Sequence, residues 1–290
     1  MTSNASSSKD LLARNLENVR RRLETACQRS QRDPSSVTLI CVTKGVALER
    51  MREVVALGVR DLGENRVQEA RAKQEVLGTR SKVQGASFQD QSLEPCTLSL
   101  APIRWHLIGH LQRNKAKAAA QCFQMIHSVD SAALARELER HAAKQQAQGA
   151  SLKAQGHTNL EPCALNLEPI QVFIQVNVSD EATKFGCTPA EAPQLADTIT
   201  QLPHLWLRGL MTIAPFSDDP EDARPSFRRL RMLRDETEVA LHLAPCTLRL
   251  SMGMSQDFEA AIEEGADFVR IGTAIFGDRR PETGDRRLEK

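Results

Sequence analysis

At 290 residues the chain is long enough to bury a full core, either as one large barrel or as two smaller domains. Its 38 basic and 37 acidic residues leave a net charge of +1, so no global field favours nucleic acid or a membrane surface. The seven cysteines (Cys27, Cys41, Cys96, Cys122, Cys163, Cys187, Cys246) form no C-x-x-C pair, which argues against a metal site or a disulfide framework and fits a reducing compartment.

The opening stretch MTSNASSSKD has no apolar core of signal-peptide length, and no later run approaches a membrane span. Residues 1–9 are expected to be a disordered tail on a cytoplasmic protein. From Asp10 to Arg32, Leu12, Leu16, Val19, Leu23 and Ala26 recur at helical spacing until Asp33-Pro34 ends the pattern. Strand-like runs then follow: VTLICVTK (37–44), VRDLGEN (59–65), IRWHLIG (103–109), MIHSVD (125–130), VFIQVNVS (172–179), LRGLMTIAP (207–215), TLRLSMGMS (247–255) and FVRIGTA (268–274). Amphipathic stretches such as LERMREVVALG and SQDFEAAIEEG lie between them, with Gly58 and Gly265 where helix C-caps would fall.

Eight strands with helical crossovers predict a single (β/α)₈ TIM barrel with an extra N-terminal helix, spanning residues 10–278 and followed by a charged tail at 279–290. A doubly wound open sheet is the rival, and the lack of G-x-G-x-x-G after the first strand counts against it. SLEPCTLSLAP (92–102) recurs as NLEPCALNLEP (159–169), with a shorter LAPCTLRL at 243–250. Every copy precedes a predicted strand. They read as inserts near 80–101, 148–168 and 243–248 in loops opposite the catalytic face, where added length costs little.

Lys44 closes the first strand. In a barrel its side chain enters the C-terminal mouth, where burial would strip the ammonium of hydration and free an amine to attack an aldehyde. From this stretch alone, a strand-end lysine reaching for water is the commoner reading. The eighth strand adds Arg270, then Gly272 and Thr273, a pair suited to cradling a phosphate at a helix start. The seventh strand ends SMGMS, where Ser251 and Ser255 could add donors and Ser255 could equally cap a helix. Asn65 could bond a ring hydroxyl or cap a helix. Met211 could face a flat ring, though core packing is its commoner job. His106 is a second-rank candidate, because a lone strand histidine is more often a satisfied core group. No metal ligands are assigned.

In order, TKGV, LGENRVQE, IRWHLIGHLQRNK, VNVSDEATKFG, LRGLMTIAP and LSMGMSQDFEAAIEEGADFVRIGTAIFG resemble the pyridoxal phosphate homeostasis protein family, from about residue 10 to 278. The resemblance implies a barrel of the alanine racemase N-terminal type, with pyridoxal 5'-phosphate (PLP) held as an internal aldimine on Lys44. It further implies Arg270 facing the pyridine nitrogen, with Ser251, Gly272 and Thr273 holding the phosphate. Such proteins regulate or carry the cofactor and influence amino-acid balance, without an established catalytic reaction.

Racemising an amino acid needs two opposed acid/base groups, which relatives of the alanine racemase class supply as lysine and tyrosine. This chain has no tyrosine, and its short charged tail predicts no second domain. An arginine beside the ring nitrogen only donates, leaving the ring a poorer electron sink. The expectation is therefore a PLP holder that delivers to apo PLP-dependent enzymes, by default as a monomer. The alternatives are a slow racemase or lyase using Lys44 as its single base, an aldolase-like barrel enzyme, and a scaffold.

Overall fold

The computed structural model describes residues 3–78, 102–154, 168–179, 181 and 184–277. Helix α1 (Ser3–Arg29) precedes β1 (Thr38–Val42), α2 (Leu48–Ala56), β2 (Asp61–Glu64), α3 (Val67–Gly78) and β3 (Arg104–Leu107). Then come α4 (Ala116–Cys122), β4 (Met125–Val129), α5 (Ala132–Ala154), β5 (Ile170–Gln175), α6 (Ala192–Thr200) and β6 (Leu205–Met211). The chain continues through α7 (Arg224–Ala240), β7 (Arg249–Met254), α8 (Phe258–Glu263), β8 (Phe268–Ile271) and α9 (Thr273–Phe276). The eight strands are parallel and close into a barrel in sequence order, β8 returning to β1. Six of the eight runs picked out by apolar patterning enclose one of these strands whole, while β5 and β6 each begin two residues ahead of the run that marks them.

Parallel closure leaves two cores. Between barrel and helices lies the larger one, built from outward strand residues such as Cys41, Leu62, Leu107 and Val269 and the apolar stripes of the helices. Inside the barrel sits a small cluster of Ile40, Met125, Phe173, Met211 and Phe268. Two-residue periodicity sends Phe268 and Arg270 of β8 inward together, and Met125 and His127 of β4 likewise. Apolar and polar groups are interleaved in the interior: Ile40 pairs with Arg270, Met125 with His106 and Phe268 with Ser251.

The stripe Leu12, Leu16, Val19, Leu23 and Ala26 is buried, as its spacing predicts, and seats α1 on α8 and α9. Full burial of a leucine or valine is worth about 1.5–3 kcal/mol, which is what docks an otherwise polar helix. Arg22 Nε adds a 2.6 Å ion pair to Glu259. The helix starts at Ser3, inside the stretch expected to be a disordered tail. The Ser-rich lead, whose one apolar residue between Met1 and Leu11 is Ala5, continues the backbone ladder of α1.

The first LEPC insert lies outside the described residues, as does most of the second, whose lead-in 148–154 forms the end of α5. The third is a turn. Glu238 accepts the backbone N–H groups of Cys246 at 3.0 Å and Leu248 at 2.7 Å, and Cys246 sits at φ +60°. Among the described residues, no helix is long and apolar enough to cross a membrane.

Candidate functional site

The C-terminal ends of β1, β7 and β8 neighbour one another because β8 pairs with both β7 and β1. Residues at 44, 255 and 270–274 therefore share one rim although 200 positions separate the first from the rest.

Lys44 occupies the turn after β1, and its side chain is exposed, not buried as the strand-end reading supposed. What is buried is the clamp around its backbone. Thr43 Oγ1 donates to Glu64 Oε1 at 2.6 Å, and Gly45 N–H donates to Glu69 Oε1 at 2.6 Å. Lys73 Nζ, on α3, ties the two together with bonds to Thr43 O (2.7 Å), Glu64 (2.8 Å) and Glu69 (2.6 Å). Burial pushes the Glu64 carboxyl up, and its bonds from Lys73 and Thr43 offset this only in part. Both peptide groups flanking Lys44 are thereby fixed, while its own ammonium stays at the mouth.

Across the rim, Ser255 Oγ accepts the N–H groups of Gly272 and Ala274, each at 3.3 Å. An oxygen acceptor thus sits where two backbone donors of the β8–α9 turn converge, an arrangement suited to an anion. Thr273 is exposed beside it. β7 reaches this position by a bulge: Ser251 pairs with Phe268, but Met254 pairs with Arg270, so three steps on β7 match two on β8. Gly253 makes the bulge possible. Its φ is +91°, and a Cβ there would stand 2.6 Å from that of Ala261. The far end of α9 is held by Asn15 of α1, donating to Ile275 O at 3.0 Å, and by Arg50 of α2, donating to Phe276 O at 2.9 Å.

Arg270 is buried and points two of its N–H bonds at Ser251 Oγ (2.9 Å) and Thr212 O (2.8 Å). Burial lowers its pKa to about 10, opposed by the charge of Asp257. The guanidinium stays protonated at neutral pH.

Ser251, expected among the phosphate groups, has its hydroxyl inside the barrel between Arg270 and His127 Nδ1 (2.9 Å). Of the two serines, Ser255 is the one at the Gly272 turn. Met211 is fully buried in the interior cluster, so it packs the core. Asn65 is half-buried at the end of β2, where its backbone meets Gly109 so closely that a Cβ on Gly109 would lie 2.5 Å from Asn65 O.

His106 is buried on β3, with Nδ1 at 3.0 Å from His127 Nε2 and Nε2 at 2.9 Å from Asp61 Oδ1. Burial lowers the pKa of His106, partly opposed by Asp61, and depresses that of His127 further, where Arg270 and any proton shared with His106 also oppose a second charge. Both rings are neutral. Burial alone would raise Asp61, but hydrogen bonds from His106 and Arg104 outweigh it and hold the carboxyl below its ordinary value.

Sequence reading passed over Asp61, His127, Glu64 and Lys73. Only strand pairing brings one of them into view: register sets His106 opposite Met125, so His127 follows two residues on, facing the same interior.

This eight-stranded parallel barrel, with Lys44 and the Ser255–Gly272 turn on one rim, is of the alanine racemase N-terminal domain type, whose family model matches residues 14–280. An alanine racemase of Clostridium difficile 630 shares the fold at 14% identity and a TM-score of 0.59, over 94% of this chain and 58% of that one. Within that class, the curated relatives are much closer. The pyridoxal phosphate homeostasis protein of Pseudomonas aeruginosa is 38% identical over 268 residues, covering 92% of this chain and 96% of that protein. PipY of Synechococcus elongatus PCC7942, solved with PLP bound, is 34% identical with a TM-score of 0.66, over 92% of this chain and all of that one (100%). The chain belongs to the pyridoxal phosphate homeostasis protein family.

Proposed function

We propose that the protein holds PLP at the C-terminal mouth of its barrel and serves intracellular PLP homeostasis, passing the cofactor to apo PLP-dependent enzymes and so influencing amino-acid balance. In this reading it works in the cytoplasm as a monomer. The observation that carries the proposal is the convergence on one rim of an amine, a backbone anion cradle and a fixed arginine. These match the aldehyde, phosphate and ring nitrogen of PLP.

The residues fit the group. Ser255 Oγ already accepts from the N–H groups of Gly272 and Ala274, so a phosphate oxygen that takes the place of this hydroxyl meets a pair of preoriented backbone donors. Thr273, exposed at the same turn, adds a hydroxyl. Lys44 lies across the rim with its flanking peptides clamped and its side chain open to solvent. Bound there, the cofactor supplies an aldehyde that links reversibly to an amine and reports the link by its absorbance.

Everything else falls to the chain. Arg270 offers only donors, so a pyridine nitrogen facing it accepts and stays unprotonated, which weakens carbanion chemistry at an attached amino acid. With no tyrosine in the chain, the second base of a lysine–tyrosine pair is missing as well. A site that grips the cofactor, discourages its usual reactions and leaves the linking lysine at the surface suits storage and release.

The test is an absorption spectrum of the purified protein with added PLP, followed by borohydride reduction and peptide mapping. The expected label is on Lys44. A label elsewhere, or none, would remove the assignment. Delivery is tested by reactivating an apo-enzyme with the loaded protein against free PLP at equal concentration; no protection and no gain in transfer would leave binding without delivery.

A further inference from the structure

Polar groups thread the barrel from one face to the other. Arg104, with a 58% exposed side chain at the start of β3, bonds Asp61 Oδ2 at 2.7 Å. From Asp61 the chain passes through His106 and His127 to Ser251 and ends at Arg270, each link 2.9–3.0 Å. Four of these five side chains lie at 0–4% exposure, and Asp61 at 7%.

Counting protons gives the chain a direction. Arg270 has no acceptor, so Ser251 Oγ must accept from it. Asp61 stays ionised and has no donor, so His106 Nε2 must carry the hydrogen they share. A neutral His106 then presents a bare Nδ1, which can only accept from His127 Nε2–H. That in turn leaves His127 Nδ1 bare, and the Ser251 hydroxyl supplies the last hydrogen. Every link is satisfied once, every donor points toward Asp61, and no ring needs a charge. The opposite direction would face a lone pair of His106 toward the carboxylate, or require an imidazolium in the interior.

His127 is also held as a ring. It stacks on Phe173 with centroids 4.5 Å apart and planes 6° off parallel, and Phe268 meets it edge-on at 5.9 Å. Packing fixes the plane and the hydrogen bonds fix the tautomer.

We infer that Asp61, His106 and His127 are positioning residues that, through Ser251, orient the Arg270 guanidinium from the opposite face of the barrel. Among the described residues no carboxylate hydrogen-bonds Arg270, and the acidic charge that acts on it is that of Asp257. The oriented donors between it and Asp61 fix the serine oxygen that Arg270 meets, and in a dry interior such chains reinforce one another. This role rests on the cofactor reading above, in which Arg270 faces the ring nitrogen; the tautomers do not.

The experiment therefore starts without cofactor. Imidazole ¹H–¹⁵N long-range correlation on the full-length ¹⁵N-labelled protein at neutral pH should show His106 and His127 both protonated on Nε2 only. A proton on Nδ1 of either ring, or an imidazolium, would overturn the inference. In Asp61→Asn the group facing His106 is no longer an obligate acceptor. The Nδ1–H form should become populated in both rings together, because one hydrogen serves the shared bond. PLP affinity, titrated by absorbance, should fall roughly five- to tenfold, the scale of one net hydrogen bond. Arg104→Ala keeps the carboxylate and should preserve both tautomers, with affinity within about twofold.

Should Asp61→Asn fail to fold, Ser251→Ala cuts the chain next to Arg270 and should show the same affinity loss. Unchanged affinity in a folded Asp61→Asn or Ser251→Ala protein would reduce the chain to packing and sink the proposed role. A wild type that takes up no PLP would instead sink the cofactor reading while leaving the tautomer result standing.

Discussion

Replacing Lys73 by methionine should destabilise the protein in a manner that depends on pH. Lys73 is 8% exposed and makes three bonds of 2.6–2.8 Å, to Thr43 O, Glu64 and Glu69. Methionine keeps most of the volume and removes the charge. Glu64, at 0% exposure, then loses its cation, while Glu69 keeps water on one side. Removing one partner of a buried ion pair costs about 3–5 kcal/mol when the survivor stays charged.

Glu64 has an escape, since burial already raises its pKa. The sign follows from linkage. A carboxyl whose folded pKa lies above its unfolded value binds its proton more tightly when folded. Its stabilising contribution is complete below the unfolded pKa and is lost as pH rises through the folded one. Losing Lys73 raises the folded value further and widens that window upward. The variant should therefore lose about 3 kcal/mol or more at pH 8, and about 1–2 kcal/mol at pH 5, where Glu64 takes up a proton and only hydrogen bonds are missing. Urea unfolding of both proteins at the two pH values, followed by circular dichroism, measures this. An equal loss at both, or a loss below about 1 kcal/mol at pH 8, would mean that Lys73 is not the counter-charge of Glu64.

Lys44→Ala should abolish the absorbance of the lysine–cofactor link and the borohydride label, while retained noncovalent PLP, seen by equilibrium dialysis, would report the phosphate cradle alone. Thr273→Ala should weaken PLP binding by about 1–2 kcal/mol, one charge-assisted hydrogen bond, in the same titration. Gly253→Ala forces a side chain into a φ of +91° and toward Ala261, and should cost about 1–3 kcal/mol in urea unfolding with a matching loss of PLP affinity as the bulge shifts. A Gly253→Ala protein as stable as the wild type would show that the bulge is not strained.

The barrel was legible because its determinants are local. Apolar runs of strand length alternate with helical periodicity, and eight of them leave few ways to close. The placement of Lys44, Arg270 and Gly272 on one rim was legible for the same reason, since each sits at a strand end whose position in the barrel is known once the strands are counted. Ser251 and Ser255 were harder. Both lie in SMGMS, and only the bulge decides which hydroxyl turns inward and which reaches Gly272. The exposure of Lys44 was not legible, because it depends on loops from several strands. Asp61, His106 and His127 are brought together by register across neighbouring strands and have no shared spacing in sequence. Within its own segment, each reads as an ordinary polar residue in a strand.

The rim draws on the two extremes of the chain. β1 brings the lysine early, β7 and β8 bring the cradle last, and the turn of α9 rests on Asn15 and Arg50 from the first two helices. A polypeptide emerging from the ribosome therefore offers an amine long before it offers anywhere to seat a phosphate. Ring closure between first and last strands is the event that sets Lys44 beside the Ser255–Gly272 turn, so a truncation before β8 would leave that lysine with nothing to distinguish it from any other.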